Sequence, residues 1–155
     1  MSEMKKVFVG IDPGAQGAMA VLGEGDARPR LVPCDYLAYS GELSLYIGKT
    51  VIVAVEDVHA MPMNGCKGNF KLGWSLGRIE QMLHGAGAKY QLVKPQQWQK
   101  EYGISNKDKS KSQSIETAKR LFPGVNLRRT EKCTKDHDGF ADALLIAEWR
   151  RRHMA

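Results

Sequence analysis

Short apolar runs separated by turn residues dominate the first third of the chain. The runs 7–11 and 18–22 are separated by a few residues that include Pro13 and two glycines, a composition typical of tight turns. The two runs are therefore expected to pair as a hairpin. A third run, 30–33, completes a predicted three-stranded meander.

The run 51–55 is the most strand-like stretch of the sequence. It is apolar at every position, which is typical of a central strand covered on both faces. It ends in an acid, Glu56, just as the first run ends in Asp12.

Apolar residues at helical spacing follow the loop 59–69. A short helix is also predicted at 41–47, before that loop. After it, apolar spacing and the positions of proline and glycine predict a strand at 90–93 and helices at 70–84, 95–102, after 113, and at 138–152. The resulting order is three strands, a helix, a strand, a helix, a strand and then two or three helices. This order predicts one α/β domain spanning residues 1–155, with a mixed five-stranded sheet and helices on both faces.

The predicted helix 70–84 contains Gly73 and Gly77, four residues apart. Glycine normally weakens a helix, so two glycines on one face indicate that another backbone or a ligand approaches closely. Trp74 and Trp98 are interpreted as core residues.

Composition adds a basic character to this picture. The chain has 155 residues, a net charge of +6 and a pI near 9.3, and its basic residues cluster, which favours a polyanionic partner such as nucleic acid. No apolar run approaches the length of a membrane span and no signal peptide is seen. Three cysteines without paired spacing are typical of a reducing cytoplasm. Cys133 and His137 could be half of a zinc site, but no second half is visible.

Acids at the ends of two strands indicate the chemistry. In the predicted sheet Asp12 and Glu56 lie side by side, and adjacent carboxylates repel unless a proton or a cation joins them. A metal ion is the sharper interpretation of Asp12; a simple cap of the turn is the alternative.

The last predicted helix supplies two further acids. Asp138 and Asp142 are four residues apart and project from one helix face. Asp142 lies in an apolar stretch, where a solvated surface role does not explain a carboxylate. Asp138 has an alternative role as the helix N-cap.

Six segments in this order resemble the RuvC-type Holliday-junction resolvases. They are GIDPGAQGAMAVL, VAVEDVHAMP, the start of the glycine-containing helix, VKPQQW, KSKSQ and DHDGFADALLIA. The short length and the MP-containing loop look most like the phage-encoded members. The resemblance implies an RNase H-like fold, a homodimer, no organic cofactor, and cleavage of four-way DNA junctions with Mg²⁺ or Mn²⁺.

The resemblance also implies roles for individual residues. Asp12, Glu56 and Asp142 look like three of the family's four acids, and Asp138 is chosen as the fourth because Gly139 cannot be a ligand. His137 and Asp136 remain possible substitutes for it. Lys111 resembles the basic residue that faces the cleaved phosphate, although the KSK repeat leaves Lys109 as an alternative.

Other residues are candidates for DNA contact. His59 lies where relatives carry an aromatic wedge that enters the junction, and Met61 competes for that role. The remaining candidates are basic: Lys67, Lys107, Lys109, Lys111, Arg128 and Arg129.

The resulting hypothesis is a metal-dependent endonuclease of the cytoplasm, that of a bacterial host if the protein is phage-encoded. Carboxylates are ligands that Mg²⁺ prefers, and two ions suffice for in-line phosphodiester hydrolysis. The alternatives are a looser fork or flap nuclease and a catalytically idle junction-binding protein. A sugar-kinase-like ATPase shares the acidic strand-turn start, but this chain is too short for two lobes.

Overall fold

The computed structural model describes residues 5–25, 28–105 and 112–154. The strands are β1 (Lys6–Asp12), β2 (Ala18–Gly23), β3 (Arg30–Pro33), β4 (Thr50–Glu56) and β5 (Lys89–Val93). The α-helices are α1 (Tyr36–Ser44), α2 (Gly65–Gly85), α3 (Pro95–Glu101), α4 (Ser112–Leu121) and α5 (Asp138–Arg152), and a 3₁₀ turn, Pro62–Asn64, leads into α2.

The strands form the predicted mixed sheet, in the order β3-β2-β1-β4-β5. The meander is antiparallel, whereas β4 runs parallel to both β1 and β5. The middle strand of the five is β1, not the strand predicted at 51–55. The reason is that β2 and β3 of the meander lie on one side of β1, and β4 and β5 lie on the other. The predicted α/β fold class is confirmed.

Side-chain alternation along β1 divides the core between the two faces of the sheet. Val9 and Ile11 pack in one cluster with residues of α1 and α2, whereas Phe8 packs in a second cluster with α4 and α5. Since neighbouring positions alternate between faces, Gly10 and Asp12 are on the α5 side.

Helix α5 lies unusually close to β1. A Cβ atom on Gly10 would overlap the backbone of Ala143 and Ala147, and one on Gly139 would overlap the carbonyl oxygen of Gln16. Two glycines therefore allow α5 to contact both β1 and the turn that follows it. This fixes the first turn of α5 beside the carboxyl end of β1.

Two helices begin earlier in the chain than the sequence predicts. The predicted helix 41–47 is α1, which starts at Tyr36 because the Asp35 side chain caps it by accepting from the backbone N–H groups of Leu37 and Ala38. Helix α2 starts at Gly65, within the predicted loop.

The predicted burial of Trp74 is wrong: this side chain is 58% exposed on the outer face of α2. Among the described residues, no atom other than the adjacent backbone of α2 itself lies within 4 Å of the Cβ position of Gly73 or Gly77, so the close approach expected there does not come from this chain. Trp98, in contrast, is fully buried as predicted.

No helix within the described ranges combines the length and the apolar character needed to cross a bilayer.

Candidate active site

The turn after β1 is held by its own backbone and by the side chain of Asp12. The Gly14 N–H donates to Asp12 Oδ1 at 3.1 Å, and the Gly17 N–H donates to the Gly14 carbonyl at 2.8 Å. A Cβ on Gly17 would overlap the Asp12 carbonyl, so this position requires glycine. The turn thus fixes the Asp12 carboxylate at the end of the strand.

Glu56 occupies the equivalent end of the neighbouring parallel strand. Ile11 of β1 pairs with Val55 of β4, so Asp12 and Glu56 are the next residue along each strand. Both are on the α5 side of the sheet, because Ala54 belongs to the core cluster that α5 forms. The predicted juxtaposition of these two acids is therefore a consequence of the register.

Burial and neighbouring charge act strongly on the Glu56 carboxyl. Its pKa is raised to about 8, with burial as the largest cause and the charges of Asp12 and Asp142 acting in the same direction. The indole Nε1–H of Trp98 donates to Glu56 Oε2 at 2.9 Å and acts in the opposite direction. Without a cation, the carboxyl therefore favours its protonated form at neutral pH.

Asp142 is brought to this group by the docking of α5. It is half-buried and adjoins Ala143, whose backbone contacts β1 at Gly10. Its effect on the pKa of Glu56 shows that the two carboxyls are electrostatically coupled. Asp12, Glu56 and Asp142 therefore form an acidic group, called the acidic triad below.

Asp138 lies one helical turn earlier, at the first residue of α5. The N-cap of α5 is His137, so Asp138 does not have the N-cap role that was the alternative for it. A carboxylate in the first turn of a helix also complements the helix dipole. The assignment of Asp138 as the fourth ligand stays a prediction.

The two substitutes for Asp138 have contacts of their own. Asp136 forms a 2.5 Å ion pair with Lys119 of α4. His137 lies against Phe140, and its Nε2 is 3.5 Å from Gln16 Oε1.

The acidic triad fits Mg²⁺ or Mn²⁺ in its chemistry. Its donors are hard carboxylate oxygens, and a divalent cation would relieve the repulsion that raises the pKa of Glu56. Within the described ranges, however, no three His, Cys, Asp or Glu side chains are arranged closely enough to hold one ion together. The same holds for Cys133 and His137, the two residues considered as half of a zinc site. Cys133 Sγ lies 3.2 Å from Thr130 Oγ1.

Two of the predicted DNA-contacting arginines lie beside the turn after β1. Arg129 Nη1 donates to Gln16 Oε1 at 2.9 Å, and Arg128 is exposed next to it. Their loop is held near α5 because the His137 N–H donates to the Leu127 carbonyl at 2.8 Å. Lys107, Lys109 and Lys111 lie outside the described residues.

The predicted wedge residues follow β4 directly and are exposed. His59 and Met61 precede the 3₁₀ turn, and Lys67 lies in the first turn of α2. The Asn69 side chain forms two 3.0 Å hydrogen bonds with the backbone of Met61, one to its N–H and one to its carbonyl. This loop is therefore fastened to α2, with the Met61 side chain left 49% exposed.

Sequence reasoning missed two residues of the site. Trp98 is favoured as a core residue from the sequence, and the structure adds that its indole N–H donates to Glu56. Gln16 was not singled out, yet it connects the turn after β1 to Arg129 and to α5. The VKPQQW segment was a signal for Trp98, whereas nothing in the sequence marked Gln16.

Comparison with protein-family models gives no match, and comparison with curated proteins gives none either. Solved structures do match. The RuvC of T. thermophilus in complex with a Holliday junction substrate superposes with a TM-score of 0.61 at 20% identity, over 95% of this chain and 96% of that chain. A Thermus thermophilus RuvC structure gives a TM-score of 0.58 at 21% identity, over 96% of each chain.

These matches define the class: the chain has the RuvC-like variant of the RNase H-like fold over nearly its whole length.

Proposed function

We propose that this protein is a metal-dependent, structure-specific DNA endonuclease that resolves four-way junctions by paired nicks. The observation that carries the proposal is the acidic triad. The charges of Asp12 and Asp142 both raise the pKa of the buried Glu56, which accepts a hydrogen bond from Trp98, and this electrostatic cost supports a cation-binding role. Clusters of this kind are typical of functional sites. The RuvC structure with a Holliday junction substrate indicates the class of DNA.

In the proposed mechanism, the protein's own residues position the ions and the DNA. Asp12 and Glu56 would hold Mg²⁺ or Mn²⁺ from the sheet, and Asp142 and Asp138 from α5. Two bound ions would supply activation of the attacking water and stabilisation of the leaving oxygen. Trp98 holds the Glu56 carboxyl in place, and Lys111 or Lys109 would face the cleaved phosphate.

A labelled four-way junction, a fork and a linear duplex, each with and without Mg²⁺, test this function. Paired symmetric nicks in the junction alone, dependent on the metal, are expected. Equal cutting of the fork would favour the looser branched-DNA nuclease, and tight junction binding without cutting would favour the idle binding protein. Either result contradicts the proposal.

Affinity for the junction is expected to fall steeply with salt, because cationic side chains release counterions from the DNA. Replacing the exposed Arg128 by alanine should make the slope of log affinity against log salt shallower by about 0.9. Lys49→Ala is the charge-matched control, since Lys49 is exposed immediately before β4, at the opposite end of the sheet from Glu56. Fluorescence anisotropy at five salt concentrations measures both. An unchanged slope for Arg128→Ala would remove this loop from the DNA interface.

We also propose a homodimer, since symmetric cleavage of two opposed strands needs two sites related by a twofold axis. The outer face of α2 is the proposed interface. Phe70 is 77% exposed there, next to the exposed Trp74, and the open space at Gly73 and Gly77 leaves room for a second backbone. Large exposed aromatic surface on a helix is typical of an interaction site.

Gly77→Leu is expected to weaken this dimer and the pairing of nicks while leaving the fold intact, because the added side chain meets only open space in the described protomer. Gly41→Leu, at an equally open position of α1, is the control. Sedimentation equilibrium with and without junction DNA measures the mass. A wild-type protein that stays monomeric on the junction would contradict the dimer.

The single domain 1–155 and a cytoplasmic location follow as parts of the same proposal. A location in a bacterial host rests on the resemblance of the chain to phage-encoded resolvases.

A further inference from the structure

A continuous chain of hydrogen bonds leads from α1 to the candidate ligand Asp12. The hydroxyl of Ser75, a buried residue of α2, lies 2.5 Å from the Pro13 carbonyl oxygen. The hydroxyl of Tyr36, the first residue of α1, lies 2.7 Å from Ser75 Oγ. Ser75 is separated from Pro13 by 62 positions, so only the tertiary fold brings these groups together.

The direction of every bond in this chain is fixed by chemistry. A carbonyl oxygen can only accept, so Ser75 donates its single proton to Pro13. Tyr36 must then donate to Ser75. The chain therefore runs in one direction, from the phenol to the serine and onward to the turn.

The last link passes through one peptide group. The Pro13 carbonyl and the Gly14 N–H belong to the same planar unit, and that N–H donates to Asp12 Oδ1 at 3.1 Å. Rotating this plane would lengthen both bonds at once. Ser75 thereby sets the direction from which the Gly14 N–H meets the carboxylate, and hydrogen bonds in such a chain polarise one another.

The outer end of the chain is also held. The Arg78 guanidinium lies 3.8 Å from the centre of the Tyr36 ring and 4.8 Å from that of Trp74. A cation at these distances restrains the aromatic ring. Tyr36 is thus fixed between α2 and its own helix.

We propose that Tyr36 and Ser75 are positioning residues for Asp12, acting through the Pro13–Gly14 peptide group. Neither contacts DNA or metal in this role. They keep one carboxylate oxygen on the Gly14 N–H and so fix the orientation in which the carboxylate meets a cation. The consequence for cleavage rests on the proposed nuclease function, whereas the effect on the turn does not.

Ser75→Ala is the direct test. Amide exchange of Gly14, followed by NMR without metal, should become about tenfold faster because its peptide plane loses the hydrogen bond that holds it. Mn²⁺ affinity, measured by calorimetry, should fall severalfold. The kcat for junction nicking should fall about tenfold with unchanged junction affinity, since only the reacting geometry is disturbed. Ser75→Thr keeps the hydroxyl and should restore all three values.

Tyr36→Phe should produce a smaller effect in the same direction, because Ser75 keeps its bond to Pro13. Tyr90→Phe is the matched control. It removes a phenol that donates to Glu80 of α2 at 2.9 Å. Because this bond lies outside the chain from Tyr36 to Asp12, the change should alter none of the three readouts.

The outcomes separate this inference from the nuclease proposal. Unchanged Gly14 exchange in Ser75→Ala overturns the inference whether or not the protein cuts DNA. Faster exchange with wild-type Mn²⁺ affinity and wild-type kcat also overturns it. If the wild-type protein cuts no branched DNA, the nuclease proposal fails, and Gly14 exchange together with Mn²⁺ affinity still decides the role of Ser75.

Discussion

Asp142→Asn is expected to abolish junction cleavage while leaving junction binding intact. The amide keeps the shape of the side chain but removes a charged ligand, and a metal ion contributes several kcal/mol to the transition state of phosphodiester hydrolysis. That contribution corresponds to a loss of about 10³-fold or more in nicking rate. Binding should persist, or become tighter, because one negative charge near the phosphates is removed.

The same measurement on Asp12→Asn and Asp138→Asn decides the composition of the site. Asp12→Asn should be as inactive as Asp142→Asn. Asp35→Asn is the control, because Asp35 caps α1 and asparagine caps a helix about as well. Near-normal cutting by Asp12→Asn or Asp142→Asn would refute the nuclease proposal, whereas near-normal cutting by Asp138→Asn alone would remove only that residue from the ligand set.

Glu56→Gln is expected to stabilise the metal-free protein at alkaline pH. The pKa of Glu56 is raised from its ordinary 4.5 to about 8, so between these pH values the folded state holds a proton that the unfolded state has released. Stability of the wild-type protein therefore falls as pH rises through this window. Glutamine stays neutral, and its carbonyl oxygen can still accept from Trp98.

The expected gain at pH 9 is on the order of 2–4 kcal/mol, because each pKa unit corresponds to about 1.4 kcal/mol. Near pH 4.5 the two proteins should differ little. Urea unfolding in EDTA at both pH values measures the difference, with Glu116→Gln at an exposed position of α4 as the control. Equal stability of Glu56→Gln and wild type at pH 9 would show that the carboxyl is not under electrostatic strain.

These two predictions are linked through the metal. A divalent ion bound by the acidic triad should stabilise the wild-type protein against unfolding, since a ligand that binds only the folded state raises its stability. Glu56→Gln should respond less, because it has lost a charged ligand. If Glu56→Gln is more stable than the wild type without metal and inactive with it, the Glu56 carboxyl lowers the stability of the fold and is required for activity.

The outline of the sheet, a meander joined by strands that follow helices, could be predicted from the sequence. Runs of apolar residues with tight turns between them specify the meander, and a helix between two strands is the usual connection of a parallel pair. Asp12 and Glu56 both end such runs, so their juxtaposition could be predicted from local pattern and connectivity. Helix α5 was predicted with its observed bounds, because its apolar stretch begins beside Asp138 and ends in arginines.

Local pattern failed where the partner of a residue lies far away in the chain. Trp74 is predicted to be core because large aromatic residues usually are, and only the packing of α2 on the sheet shows that it is exposed while Ile79 and Leu83 of the same helix are buried. The start of α1 was missed for a local reason instead, because the Asp35 side chain caps the helix by accepting from the N–H groups of Leu37 and Ala38.

By itself the sequence determined the fold class, the order of the elements and the acids at the ends of β1 and β4. Only the tertiary structure decided how those acids are held: Trp98 on Glu56, Ser75 on the turn after Asp12, and α5 against Gly10. The physical reason is the separation along the chain over which each kind of interaction acts. Periodicity and turn chemistry act between residues a few positions apart, whereas a hydrogen bond to a buried carboxylate joins groups that only the closed core brings within 3 Å of one another.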